Sequence, residues 1–256
     1  MGISKQVLNI KDKGKLVQEV RLNDIHQVNV LGNIQLTTQA IQALLGAEIP
    51  VVYFSYGGWF HGLTQSVGLK NILWRREQFR LADRPTFCLQ LARKLVIGKI
   101  RNQRTMLMRN HVEPPMESLR FLKAIMHEAH GAESLTELLG VEGMAARVYF
   151  EQFNGMIKLD EDLSQVPSNG KSPFRFDFLR RNRRPPRDPV NALLSLGYSL
   201  LAKDLTITAT AVGLDPYLGY YHQLRHGRPA LALDLMEPFR PLIVDSAVLS
   251  AITPSS

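Results

Sequence analysis

The chain has 256 residues, 45% hydrophobic and 21% charged, the composition of a folded protein of one or two domains, so disorder as the dominant state is excluded. No apolar run nears the roughly 20 residues of a spanning helix, the first residues carry no signal-peptide stretch, and the single Cys88 excludes disulfide scaffolds and four-cysteine metal centres. A cytoplasmic protein is expected, and its net charge of +8 suggests a polyanionic partner.

From Gln6 to about Gln65 the pattern is that of strands. KQVLNI and KLVQEVRL flank a hairpin-like turn at Lys11–Gly14, and IHQVNVLG follows. The segment TTQAIQALLGA predicts a short helix, capped by Thr37 or Thr38 and ended by Gly46, and PVVYFS predicts a buried strand. After Gly68 the period turns helical. Helices are expected from Leu69 to about Ala82, from Pro85 to Arg109, over MESLRFLKAIMHEAHG and from Ser134 onward, where Glu137 stands at capping-box spacing. Residues 160–187 read as a loop. Asp188 and Pro189 then open a long helix, and the last third reads as helical too. The expected fold class is α+β, with an N-terminal β-rich domain over 1–66 and a larger all-α domain over 67–256.

The positive charge is concentrated. Eleven Lys and Arg stand between Lys70 and Asn110 against Glu77 and Asp83, a local balance of +9, so the rest of the chain is close to neutral. A second knot, FRFDFLRRNRRPPRD, carries six arginines. A solvated helix face normally mixes both signs, because like-charge repulsion costs stability, so runs this one-sided point to phosphate contact. Arginine dominates both runs, as suits bidentate phosphate recognition. Lys99 is counted in the first run. The expected nucleic-acid contacts are Arg75, Arg76, Arg84, Arg181, Arg183 and Arg184, with Arg225 and Arg228 further on.

Glu142 lies in LLGVEGMAARVYF among mostly apolar neighbours, where a carboxylate must be paired, protonated or metal-bound. The flanking Gly140 and Gly143 suggest that something large approaches the backbone. His222, Asp234 and Glu237 form a second group. The two acids are three residues apart, on one helix face, and could reach the same cation. Carboxylates with one imidazole suit Mg²⁺ or Mn²⁺ better than a thiolate-loving metal. An ordinary helix feature is the alternative for each group. His222 and His226 lack the glutamate of a zinc-protease helix, no P-loop is present, and Cys88, Trp59, Trp74 and Phe79 read as core. His127 and His130 read as helix surface.

The strings GVEGMAARVYF, RRPPRDPVNALLSLGYSLL and GLDPYLGYYHQLRHGRPALALDLMEPFRP closely resemble the CRISPR-associated integrase and endonuclease family, the universal spacer-acquisition protein of CRISPR systems. LGNIQLTTQAIQALL, PVVYFS and GLKNILWRREQF extend the resemblance over nearly the whole chain. It implies that Glu142, His222 and Glu237 bind the metal, with Asp234 an acidic position supporting the site. It also implies a homodimer, dimerising through the β-rich domain, that joins a small ferredoxin-like partner and inserts short double-stranded DNA at the leader end of a CRISPR array. The family usually has another strand ahead of the first one read here and residues beyond Ser256. The chain is therefore expected to be a piece of a larger polypeptide, such as a fusion with an iron–sulfur nuclease. A DNA-binding scaffold without catalysis and a metal-dependent ribonuclease are the rival expectations.

Overall fold

The structure, a computed structural model, describes residues 1–57, 60–66, 72–157, 178–182 and 185–252. It divides between Lys70 and Asn71 into two compact units, each considered by itself. The architecture is α+β, strands first and helices after.

In the N-terminal unit β1 (Gly2–Ser4), β2 (Val7–Asp12) and β3 (Lys15–Arg21) form an antiparallel meander. Lys13 and Gly14 link β2 to β3 with φ of 46° and 84°. Two left-handed residues are what a two-residue hairpin needs if its twist is to match the strands, and glycine adopts that region without strain. Lys5 and Gln6 make the same kind of turn, with φ of 47° and 61° and no glycine. That absence explains why β1, not anticipated from the sequence, has no turn signal after it. β4 (Val28–Leu31) pairs in parallel with β5 (Val51–Phe54), which pairs antiparallel with β6 (Phe60–Thr64), a strand inside the Gln6–Gln65 stretch whose bounds the sequence did not mark. A parallel pair needs a crossover, and α1 (Thr38–Gly46) supplies it. Thr37 caps α1, its hydroxyl accepting from Ala40 N–H at 3.2 Å. Leu8, Val30, Ala40, Leu44 and Val51 form this unit's core.

The C-terminal unit is helical: α2 (Ile72–Ala82), α3 (Pro85–Asn110), α4 (Met116–Gly131), α5 (Leu135–Glu151), α6 (Pro189–Ala211), α7 (Ala230–Met236) and α8 (Ser246–Ile252), with a π-helical turn over Arg240–Asp245. Starts follow local chemistry. Ser134 Oγ accepts from Glu137 N–H at 3.1 Å while the Glu137 carboxylate reaches back to Glu133 N–H at 2.7 Å. Asp188 caps α6 through Asn191 N–H at 2.7 Å, with Pro189 in the first turn. Ile100, Leu107, Leu122, Ile125, Leu138 and Tyr149 are fully buried where α3, α4 and α5 pack. Truncating such a side chain to alanine costs about 2–5 kcal/mol.

Two expectations fail here. Residues 213–229 are not helical but a chain of turns, because Gly213, Pro216, Gly219, Gly227 and Pro229 interrupt any helical run. Trp74 and Phe79 are not core residues: they lie on the outer side of α2, 63% and 48% exposed. Cys88 is buried as expected, and His127 and His130 are exposed on α4. Trp59, Arg175, Arg183 and Arg184 lie outside the described residues.

Candidate active site

A carboxylate on α5, an imidazole in the 213–229 loop and a carboxylate at the end of α7 meet around an ammonium from α3. Lys99 Nζ lies against Glu142 Oε1 and, on its other side, 2.6 Å from Glu237 Oε2. Arg240 Nε stands 3.0 Å from Glu237 Oε1. His222 Nε2 is 3.8 Å from the same oxygen. Glu237 is 2% exposed and Lys99 8%, so four charges are largely withdrawn from water and persist because they are matched.

The electrostatics follow from that matching. Burial pushes the Glu237 carboxyl up, but Lys99 and then Arg240 overcome it and hold the group at about 2. Burial likewise works against the Lys99 ammonium, yet Glu237 and Glu142 raise its value above the ordinary one. Both groups are therefore charged at neutral pH. Tyr221 donates its hydroxyl to Glu142 Oε2 at 2.5 Å, and burial beside Glu142 drives the phenol well up, so it remains a donor.

Asp234 does different work from Glu237, although the two are three residues apart. It is fully buried, and its Oδ2 accepts from Tyr220 N–H at 2.6 Å and Tyr221 N–H at 3.0 Å. Its Oδ1 accepts from His222 N–H and from His222 Nδ1, both at 2.8 Å. An ionised carboxylate only accepts, so Nδ1 carries a proton, and Nε2 faces Glu237. The two acids thus bracket the imidazole from opposite nitrogens instead of converging on one point.

Packing fixes the loop just as firmly. A Cβ on Gly219 would lie 2.7 Å from the Ala230 carbonyl carbon and 2.8 Å from Asp234 Oδ2, so only glycine lets the backbone come this close. From α2, the buried Gln78 amide donates to Asp215 and Leu218 carbonyls at 2.8 and 3.0 Å and accepts from Asp215 N–H at 2.8 Å. Asn102 on α3 donates to the Pro238 carbonyl at 2.7 Å. Beneath the site Tyr149 and Tyr198 donate to the buried Asp245, and Arg240 lies 4.8 Å over the Tyr198 ring.

Sequence reasoning missed Lys99, Tyr221, Gln78 and Arg240. Lys99 was legible in principle: Ala92, Val96, Lys99, Gln103 and Met106 recur at three and four residues along the buried stripe of α3. Gly140 and Gly143 are not close-approach positions, since a Cβ at either meets nothing within 4 Å.

The basic residues divide. Arg76, Arg84 and Arg225 are exposed, and Arg75 and Arg228 half-buried. Arg181 donates to Asn191 Oδ1 at 2.7 Å and Ser195 Oγ at 3.1 Å. Arg93 donates to the Ala132 carbonyl at 2.8 Å, and Arg104 to that of Leu119 at 3.2 Å. Arg225 and His226 line, with Phe79, Tyr217 and Leu224, an open cleft of about 370 Å³.

The donor set is chemically apt for a hard divalent ion: two carboxylates and one imidazole nitrogen, the latter oriented by an outer carboxylate. Glu237 Oε2 is buried, and its nearest donor, the Lys99 ammonium at 2.6 Å, approaches it off the axis of a good hydrogen bond. As the side chains stand, no group of three or more His, Cys, Asp or Glu among the described residues is arranged to hold a metal ion. Glu142 and Glu237 are turned onto Lys99 instead.

Against known proteins, the family profile described as "CRISPR associated protein Cas1" matches residues 1–255. A Cas4/Cas1 fusion of Geobacter sulfurreducens, named as an exonuclease and endonuclease, is 47% identical over 96% of the chain, which spans 43% of that relative. The chain thus has less than half the length of this fusion. A CRISPR-associated endonuclease Cas1 of Thermus thermophilus is 38% identical over 98% of the chain and 71% of its own length. Among solved structures, a partial Cas6-RT-Cas1–Cas2 complex superposes with a TM-score of 0.71 at 31% identity, covering 98% of this chain and 73% of that one.

Proposed function

The chain belongs to the Cas1 family, and from that premise we propose that it is a divalent-metal-dependent DNA endonuclease and integrase that inserts short DNA duplexes as spacers into a CRISPR array. The observation that carries this reading is the meeting of Glu142, His222 and Glu237, from three separated segments, beside the cations Lys99 and Arg240. Such a cluster suits an anionic substrate whose charge grows in the transition state.

In the reaction proposed, the 3′-oxygen of the incoming DNA bonds to a target phosphorus, the bond from that phosphorus to its leaving 3′-oxygen breaks, the attacking hydroxyl gives its proton to solvent, and the leaving oxygen takes one up to become a new 3′-hydroxyl. One phosphodiester replaces another, so no nucleotide triphosphate is consumed. Water in place of the hydroxyl gives nicking. A Mg²⁺ or Mn²⁺ ion held by Glu142, His222 Nε2 and Glu237 would supply Lewis-acid polarisation of the phosphoryl oxygen. Asp234 fixes the imidazole tautomer and presents Nε2 to the site. Tyr221 orients Glu142, while Lys99 and Arg240 add positive charge where the phosphate gains negative charge.

The partners in this reading are double-stranded DNA, a second copy of the chain, and a small ferredoxin-like subunit, in keeping with the Cas1–Cas2 assembly of the structural relative. An iron–sulfur nuclease, fused or separate, accords with the Cas4/Cas1 relative. Among the described residues no helix is long and apolar enough to cross a membrane, and a cytoplasmic site of action is proposed with the DNA.

The test is incubation with branched DNA in Mn²⁺, Mg²⁺ or EDTA beside Glu142→Ala, with DNA binding measured separately. Metal-dependent strand transfer that Glu142→Ala abolishes, by about 10²-fold or more, with binding retained, is expected. Tight binding by the wild-type chain with no metal-dependent product would favour a scaffold and overturn the catalytic reading.

A further inference from the structure

Lys99 is the most deeply withdrawn cation of the site, and nothing in the proposed reaction requires it to grip both carboxylates at once. Its ammonium lies against Glu142 Oε1 and 2.6 Å from Glu237 Oε2, and it springs from the stripe of α3 that buries the apolar Val96 and Ile100 and the uncharged Gln103. The balance of charge is equally specific. Glu142 and Glu237 are matched by Lys99 and Arg240, while Asp234 is committed to three backbone N–H groups and the imidazole.

A divalent ion taken up by Glu142, His222 and Glu237 needs oxygens that Lys99 already engages. Both cations at hydrogen-bonding range of the same two carboxylates would repel strongly in a site this buried. It would also leave Glu142, Glu237, Lys99, Arg240 and the ion together two charges in excess of neutral.

We propose that Lys99 is an internal competitor of the divalent cation: its ammonium neutralises and positions the two carboxylates, and metal binds only by taking them from it. The inference deepens the metal-site reading above and rests on it. Lys99 acts here as a positioning residue whose charge sets metal affinity. The unaligned approach at Glu237 Oε2 fits a partner that satisfies the charge but not the directionality of that oxygen. Arg240 Nε is 3.0 Å from the other oxygen of Glu237, likewise without an aligned hydrogen bond, but its guanidinium also lies over the Tyr198 ring, a hold independent of the carboxylates.

The experiment is a titration of the whole chain with Mn²⁺ alone, without DNA, following the loss of the free-ion signal by electron paramagnetic resonance. Wild type, Lys99→Met, Lys99→Gln and Glu142→Gln are compared. Removal of the ammonium is expected to tighten Mn²⁺ binding by about tenfold or more, one unit charge in a partly dry site being worth at least that. The rise in melting temperature on adding Mn²⁺ should also be larger in Lys99→Met than in wild type. Lys99→Gln keeps hydrogen-bonding capacity without the charge and supplies the comparison if the methionine variant loses its fold. Mn²⁺ binding that Glu142→Gln abolishes but Lys99→Met and Lys99→Gln leave unchanged or weaken would overturn the competition while sparing the metal site. No Mn²⁺ binding in any variant would overturn both.

Discussion

Asp234 gives both oxygens to the loop that carries His222, so its loss acts on structure and on chemistry together. Asp234→Ala leaves the N–H groups of Tyr220, Tyr221 and His222 without their acceptor. Each such group costs about 1–3 kcal/mol where water cannot reach it, so a loss of at least about 3 kcal/mol is expected. Differential scanning calorimetry should register it as a fall of roughly 6–12 °C, and a fall under about 2 °C would show that water replaces the carboxylate. A second buried carboxylate gives a pH test. Burial raises Asp245 to about 6 from 3.8, against the pull of Tyr198 and Tyr149. The folded state then holds the proton more tightly than the unfolded one, so this group's contribution to stability is full below pH 3.8 and lost as pH rises toward 6. Glu237, held at about 2, contributes oppositely: its stabilisation is present above pH 4.5 and lost as pH falls toward 2. Between pH 4.5 and 6 the Asp245 slope should therefore disappear in Asp245→Asn, which urea midpoints at the two ends of that window would reveal. An unchanged slope would place the titration elsewhere. Glu142 stood out in the sequence because a carboxylate in apolar company demands a reason, whereas His222, Asp234 and Glu237 were picked out by the spacing of the two acids and by the family resemblance. Lys99 was overlooked because a run of bases hides the one that turns inward, although its register with Val96 and Gln103 tells it from Arg101.

At the scale of elements, the site depends on how firmly the loop of residues 213–229 is tied to its neighbours. Gln78 makes three hydrogen bonds from α2 to that loop, across 137 to 140 residues of sequence. Gln78→Ala should cost about 2 kcal/mol and lower strand-transfer rate more than DNA affinity, since it loosens His222 without touching an exposed arginine. Comparing single-turnover rates with equilibrium binding checks this; equal losses in both would mean that α2 itself is disturbed. Helix starts were readable because Thr37, Ser134 and Asp188 act locally, on amides three residues away. The loop was not. Its course is set by long-range partners, Gln78 and Asp234, and by the close approach at Gly219, none of which leaves a periodic trace. β1 was missed and β6 left without bounds for related reasons: one precedes a turn built from Lys5 and Gln6, and the other is short and poorly alternating.

Across the whole chain, a net charge of +8 says less about DNA binding than does the direction in which each base points. Within the first basic run, Arg93 and Arg104 are bound to carbonyl groups and Lys99 to carboxylates, so these charges hold helices and site together. Arg76 and Arg84 on the α2–α3 stretch, and Arg225 in the loop, are exposed to solvent. The proposed DNA reading therefore separates two classes of arginine by salt dependence. Removing one arginine that neutralises a phosphate should reduce the slope of log affinity against log salt by about 0.9. Arg84→Ala and Arg225→Ala should each show a reduction of this size with little change in melting temperature. Arg93→Ala should do the reverse, losing stability as the Ala132 carbonyl loses its donor while the slope stays near that of wild type. Fluorescence anisotropy on one DNA duplex across a series of salt concentrations distinguishes the two patterns. An Arg93 variant whose slope falls as far as that of Arg84→Ala would show that DNA draws the inward arginines out, and that the polyanion reorganises this helical unit when it binds.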